Sequence, residues 1–159
     1  MNHNQFKDIL LIPTLKKIPK GYTIESAVAI SMIIAHESQR CKYIRQVVAG
    51  GYGAAYGYIQ MEETTYDTTW RYGDSIWKNA LKLGIISKLE YKHKKKPSIN
   101  RLLTDMEFNI FMARQRLFMK AAAIPSTPHE ISAYLKRHWN SAGGAAHIDS
   151  YYEDWMLWK

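Results

Sequence analysis

One cysteine, Cys41, stands in a chain of 159 residues, so no internal disulfide can form and the fold must be held by its core. A lone thiol also points to synthesis in a reducing cytoplasm. Proline is sparse, at five positions, and with the nine glycines it mostly falls between periodic segments. No stretch approaches the roughly 20 apolar residues of a membrane helix. Met1-Asn2-His3-Asn4-Gln5 lacks the basic start and apolar centre of a signal peptide, so a substrate outside the cytoplasm would require another agent of delivery. Zinc-protease spacing is missing too. His36-Glu37 has no second histidine four residues after the first, and His129-Glu130 is followed by Ile, Ser and Ala, so no metal site is expected. Acidic residues are the scarcer charge, 14 against 22 Lys and Arg, a net +8 that is densest at Lys92-His93-Lys94-Lys95-Lys96. That sign favours encounter with polyanions such as nucleic acid, teichoic acids, anionic lipids or the carboxylate-bearing peptides of a cell wall, and selects none of them.

What is present is enough to fold. Hydrophobic residues make up 47% and aromatics 13%, well above a disordered chain, and the length suits one domain over residues 1–159 without repeats. A short first helix is expected over residues 3–10, ended by Pro13 and a turn at Pro19-Lys20-Gly21. Thr23 can cap a second helix starting near Glu25. It runs through Ala27-Val28-Ala29-Ile30-Ser31-Met32-Ile33-Ile34-Ala35, apolar all round but for Ser31, the mark of a helix buried on every side. From 42 to 63 the mixture of Gly with Tyr, Val and Ile suits a glycine-rich loop or small β-hairpin. Helices are expected near 64–70 and 75–83, followed by a basic loop ending at Pro97. A long helix starts at Thr104 or Asp105 and runs to about Ala122, with Pro125 ending it. A helix over 128–139 follows, capped by Thr127, then a turn at Ser141-Ala142-Gly143-Gly144 and a final helix near 146–157. The fold class is mainly α, with a small β element beside a buried central helix.

The buried helix ends in His36-Glu37-Ser38-Gln39-Arg40, and so delivers a carboxylate to the edge of the core. Cleavage of a glycosidic bond needs a proton donor at the leaving oxygen, and a glutamic acid can serve at neutral pH if burial raises its pKa. The glycine-aromatic segment that follows suits a sugar groove: sugar faces stack on aromatic rings, and hydroxyls need polar partners such as Gln60 and Asn140. Structural readings compete residue by residue. A glutamate at a helix end is usually solvated, Gln60 can cap a turn, and Asn140 suits a helix C-terminus. Trp70, Trp77 and Trp155 stay unassigned, since aromatic stripes are more often core. Arg45 and Gln46 can bind substrate or sit on a solvated loop.

Three ordered elements carry a family resemblance. His36-Glu37-Ser38, Gly57-Tyr58-Ile59-Gln60 and His138-Trp139-Asn140-Ser141-Ala142-Gly143 resemble the Glu-Ser, Gly-Leu-x-Gln and Ala-Tyr-Asn-x-Gly motifs of soluble-lytic-transglycosylase-like and goose-type-lysozyme-like domains. The likeness spans about residues 25–155. It departs from the pattern at Tyr58 and at His138-Trp139, where large side chains replace other large ones. The run Gly57 to Trp70 also resembles a branch found in bacteriophage lysins and virion-associated proteins.

The resemblance implies a lysozyme-like fold that cleaves the β-1,4 bond between N-acetylmuramic acid and N-acetylglucosamine in peptidoglycan. Glu37 would be the general acid/base, and Ser38 would bond to it or to the sugar. Tyr56, Gly57, Tyr58 and Gln60 would line the cleavage site and Asn140 would contact an N-acetylated sugar. Tyr151 or Tyr152 would match a tyrosine that orients the acid. Without a second carboxylate, the substrate's own acetamido group or 6-hydroxyl completes the reaction. With one, of which Glu62, Glu63 and Asp67 are nearest in sequence, inverting hydrolysis needs carboxyls about 6.5–9.5 Å apart. No cofactor is implied. A phage lysin would wait in the host cytoplasm for holin-dependent release, or travel in the virion. The competing class is a non-catalytic phage structural protein, or a glycan- or DNA-binding protein, on the same fold, with no recognition motif for nucleic acid beyond net charge.

Overall fold

In a computed structural model of the chain, residues 1–140 and 144–159 are described. Most of them are helical, with one small antiparallel sheet. The chain opens with α1 (His3–Gln5), a π-helical segment (Phe6–Leu11) and α2 (Ile12–Lys17), which run on without a break. The first helix therefore does not end at Pro13. In the wider π turn the Ile12 N–H reaches the Lys7 carbonyl, five residues back, and Pro13, which has no N–H to give, enters the first turn of α2.

The central helix, α3 (Ile24–Glu37), starts at a reciprocal cap: the Ser26 N–H donates to Thr23 Oγ1 at 3.0 Å and the Thr23 N–H to Ser26 Oγ at 2.9 Å. Ile30, Met32, Ile33, Ile34 and Ala35 are all fully buried, as the unbroken apolar run requires. After it come β1 (Arg45–Val48), β2 (Gly51–Tyr56) and β3 (Met61–Glu62), hydrogen-bonded in the order β1-β2-β3. The β1–β2 register slips between Arg45 and Val47. Such an irregularity breaks the strict alternation of strand faces, so neighbouring side chains can share one side.

Helices α4 (Glu63–Arg71), α5 (Asp74–Lys82), α6 (Lys88–Lys92), α7 (Met106–Phe118), α8 (Pro128–His138) and α9 (Ser150–Trp158) complete the fold, with a 3-10 turn at Ile99–Leu103. The stretch expected to be a basic loop contains α6, which Ser87 and Glu90 cap reciprocally. Its lysines reach back to the neighbouring helices, Lys94 to Asp74 at 2.7 Å and Lys96 to Asp67 at 2.8 Å. Helix α7 begins at the Asp105 cap but stops at Phe118, short of Ala122. Ala121 to Ala123 are exposed, and alanine propensity alone does not extend a helix that has no surface to bury. Helix α9 starts at Ser150, later than expected, and the turn proposed over Ser141-Ala142-Gly143 lies outside the described residues. Among those described, no helix is long and apolar enough to cross a membrane.

Helix α3 packs against α7, α8 and α9. Trp70, Trp77 and Trp155 are core: the first two rings meet at 4.8 Å, and the Trp77 indole N–H donates to the Trp70 carbonyl. The N-terminal helices close on α9 through His3 against Trp155 and Trp158, and Phe6 stacked on Trp158. The last helix is thereby fixed against the first, and its inner face meets the end of α3.

Candidate active site

Glu37 ends α3 and is half-buried. Tyr151, fully buried on α9, donates its hydroxyl to Glu37 Oε1 at 2.8 Å. Burial pushes the Glu37 carboxyl above its ordinary range, because desolvation penalises the charged form. The Tyr151 hydrogen bond, the positive charges of His36 and Arg116, and the Trp139 indole N–H pull the other way without reversing it. Burial and the adjacent carboxylate drive the Tyr151 phenol far above its usual value, so it stays a donor, with the Asn140 amide beside it.

Two guanidinium groups frame this pair. Arg116, from α7, donates to the Trp139 carbonyl at 2.7 Å and lies 4.1 Å over the Trp139 ring. It is buried enough for its own pKa to be lowered, yet it remains a cation facing Glu37, Tyr151 and Glu62. Arg40 and His36 share Asp154 of α9, at 3.0 and 2.7 Å, and the His36 ring packs 4.4 Å from Tyr151. The end of α3 is thus pinned to α9 on both sides of the acid.

The turn that releases the chain after Glu37 is unusual. Gln39, Arg40 and Cys41 all have left-handed backbone, with φ of 48°, 61° and 66°, at a cost of about 1–2 kcal/mol per residue. Ser38 holds it: its hydroxyl donates to the Ile34 carbonyl at 2.6 Å and accepts from the Cys41 N–H at 2.9 Å. With both bonds made and no exposed surface, Ser38 offers nothing to a sugar or to Glu37. Its place in the site is to turn the backbone.

Beside Glu37 opens a cleft of about 370 Å³, lined also by Tyr43, by Arg45, Gln46 and Val47 of β1, and by Gln60. These three consecutive β1 residues lie where the β1–β2 register slips. Gln60 keeps one edge in the cleft and donates through Nε2 to the Gly57 carbonyl at 2.8 Å. Gly57 itself is buried, its N–H given to the Ile44 carbonyl, so its backbone is used internally and not open to substrate. The Tyr58 N–H goes to Asn109 Oδ1 at 2.9 Å and its ring packs on the core, while Tyr56 lies under the Arg45 guanidinium at 3.7 Å.

Of the residues singled out from sequence, Glu37, Gln60, Asn140 and Tyr151 come together at or behind the cleft. Ser38 and Gly57 serve the backbone. Tyr152 points elsewhere, stacking on His129 at 3.9 Å, so of the two candidate tyrosines it is Tyr151 that meets the acid. Glu62 is exposed at the end of β3, and Glu37 is the one carboxylate lining the cleft among the described residues. Sequence reasoning missed Arg116, Asp154 and Asn109. An arginine inside an apolar helix face was the available signal for Arg116; Asn109, fully buried in the same helix, gave a similar one. Among the described residues no group of three or more His, Cys, Asp or Glu is placed to hold a metal. Comparison of the chain with family models, with curated proteins and with solved structures finds no match, so its function is argued from the geometry of this site.

Proposed function

We propose that this chain cleaves the β-1,4 bond between N-acetylmuramic acid and N-acetylglucosamine in bacterial peptidoglycan, with Glu37 as the general acid. The observation that carries this reading is a carboxyl with a raised pKa, held by a buried tyrosine at the edge of an open polar cleft. Such a group keeps its proton where an ordinary glutamate has lost it, and can deliver it to a leaving glycosidic oxygen. The resemblance of the three short motifs supports the same assignment.

The single carboxylate of the cleft favours completion by the substrate. Glu37 gives its proton to the departing oxygen as the glycosidic bond breaks. The muramyl 6-hydroxyl then bonds to the anomeric carbon and returns its proton to the Glu37 carboxylate, leaving a 1,6-anhydro end. Arg116 and the Tyr151 hydroxyl stabilise the carboxylate between these transfers. By this reading the protein is a lytic transglycosylase, and the phage-lysin resemblance supports a role in phage-mediated wall degradation, reached by holin-dependent release or carried in the virion.

The test is digestion of purified sacculi by the wild type and Glu37→Gln, with mass analysis of released muropeptides. Wild type is expected to release anhydro-muropeptides, and Glu37→Gln to lower the rate by about 10²–10⁴-fold. Reducing ends would move the mechanism to hydrolysis with a second carboxylate. A folded wild type that releases nothing would transfer the site to the binding or structural class. The net charge favours that class over catalysis only if DNA is retained with a steep salt dependence.

A further inference from the structure

Arg45 lines the same cleft as the acid, and no carboxylate of the described residues lies within ion-pair distance of it. Arg40 and Arg101, by contrast, each reach an aspartate at about 3 Å. The Arg45 guanidinium is held in place rather than waving in solvent: Nη2 donates to the Gly53 carbonyl at 3.1 Å and the group lies 3.7 Å over the Tyr56 ring. Its Nε is buried without an acceptor. That atom is closed to the cleft, so what the group offers a ligand is its charge and its remaining Nη donors, and a fixed cation with no counter-charge favours an anionic partner. Besides Glu37 and His36, the other polar groups lining the cleft, Gln39, Tyr43, Gln46 and Gln60, are neutral, and suit hydroxyls and amides.

We propose that Arg45 is the carboxylate-recognising residue of this cleft, so that the site selects acidic glycan strands over neutral N-acetylated glycans of equal length. The planar fork of a guanidinium matches a carboxylate, which the sugars of a neutral glycan lack. This rests on the glycan reading of the site and names the chemistry that its substrate must carry. The carboxylate has two sources in a peptidoglycan strand: the free lactyl group of a muramyl residue stripped of its peptide, or the carboxylates of an attached stem peptide.

The proposal is tested by calorimetric binding to the Glu37→Gln protein, which holds ligand without turnover. The ligands are chitotetraose, a peptide-free muramyl-containing tetrasaccharide and the same tetrasaccharide bearing its stem peptides. Adding Arg45→Gln is expected to weaken one or both acidic ligands by about tenfold and to leave chitotetraose within about twofold. Whichever acidic ligand loses affinity identifies the source of the carboxylate. Arg45→Lys, which keeps the charge without the fork, is expected to restore part of the discrimination and shows that the hairpin is intact. Equal effects of Arg45→Gln on all three ligands, or none on any, overturn the proposal while the glycan reading stands. If the folded Glu37→Gln protein binds none of the three, the glycan reading itself fails.

Discussion

Burial sets the direction of the titration at Glu37, and Tyr151 opposes it. Its hydroxyl donates to the carboxyl and so favours the ionised form, while burial favours the neutral one and wins. A general acid must start protonated, so the rate is expected to fall as pH rises through the raised Glu37 pKa, giving an alkaline limb that lies above the ordinary glutamate range. Tyr151→Phe removes a contribution that lowers this pKa, and the limb is therefore expected to move to still higher pH. The plateau below it should drop by about tenfold as the carboxyl loses its orienting partner. A pH–rate series on soluble muropeptide oligomers reads both effects. A limb that stays in place would reduce Tyr151 to packing, and one that moves down would contradict the donor role. Arg116 acts in the same sense as Tyr151, since its charge also favours the carboxylate, but truncating it would also free the Trp139 carbonyl it holds.

At the scale of elements, the loop between β2 and β3 depends on one helix. Gly57 has φ +74°, and a Cβ there would sit 2.3 Å from Asn109 Oδ1 and 2.9 Å from the Leu102 carbonyl. Asn109 is committed: it accepts from the Tyr58 N–H and donates to the Leu102 and Asp105 carbonyls, both at 2.8 Å. Gly57→Ala is thus expected to cost at least about 2 kcal/mol, or about 4–8 °C in thermal midpoint for a chain of this size. Gly50→Ala is the control, because its φ of +84° is strained too but nothing lies within 4 Å; it should cost about half as much. Equal losses in a melting experiment would remove the Asn109 contact as the cause. That contact shows where reading the sequence runs out. The central helix was legible because nine consecutive residues leave only Ser31 polar, and Thr23 supplied its start. Helices α4, α5 and α8 fell within a residue or two of their expected spans for similar reasons. The π turn before Pro13, the early stop of α7 and the capped α6 depend on which neighbour is available to pack against, which no local pattern records. Glu37 and Gln60 were legible from short motifs. The Ser38 hydroxyl looked like a substrate ligand because its use by the backbone appears only once the left-handed turn is in place.

Across the whole molecule, the site draws on nearly every part of the chain: the acid from α3, the cleft wall from β1, Arg116 from α7, Asn140 from the end of α8, and Tyr151 from α9. Helix α9 in turn is held by the N-terminal residues through the His3, Phe6, Trp155 and Trp158 rings. The excess positive charge is arranged differently. Lys94 and Lys96, in the densest basic run, are paired with Asp74 and Asp67, so the +8 is not gathered into one strong patch there. A net charge of this sign acts on approach to a polyanionic surface. Raising salt from about 0.1 M to 1 M shortens the screening length from about 10 Å to about 3 Å. Turnover on intact sacculi is then expected to fall by about tenfold, while turnover of a short soluble muropeptide oligomer, which carries few charges, falls by no more than about threefold. Should both rates fall by the same factor, salt is disturbing the pairs that pin α3 to α9, Arg40 and His36 with Asp154, and not the encounter. Repeating the series with Asp154→Asn separates the two causes, because a protein already lacking those pairs would keep its salt response only if that response belongs to the long-range field.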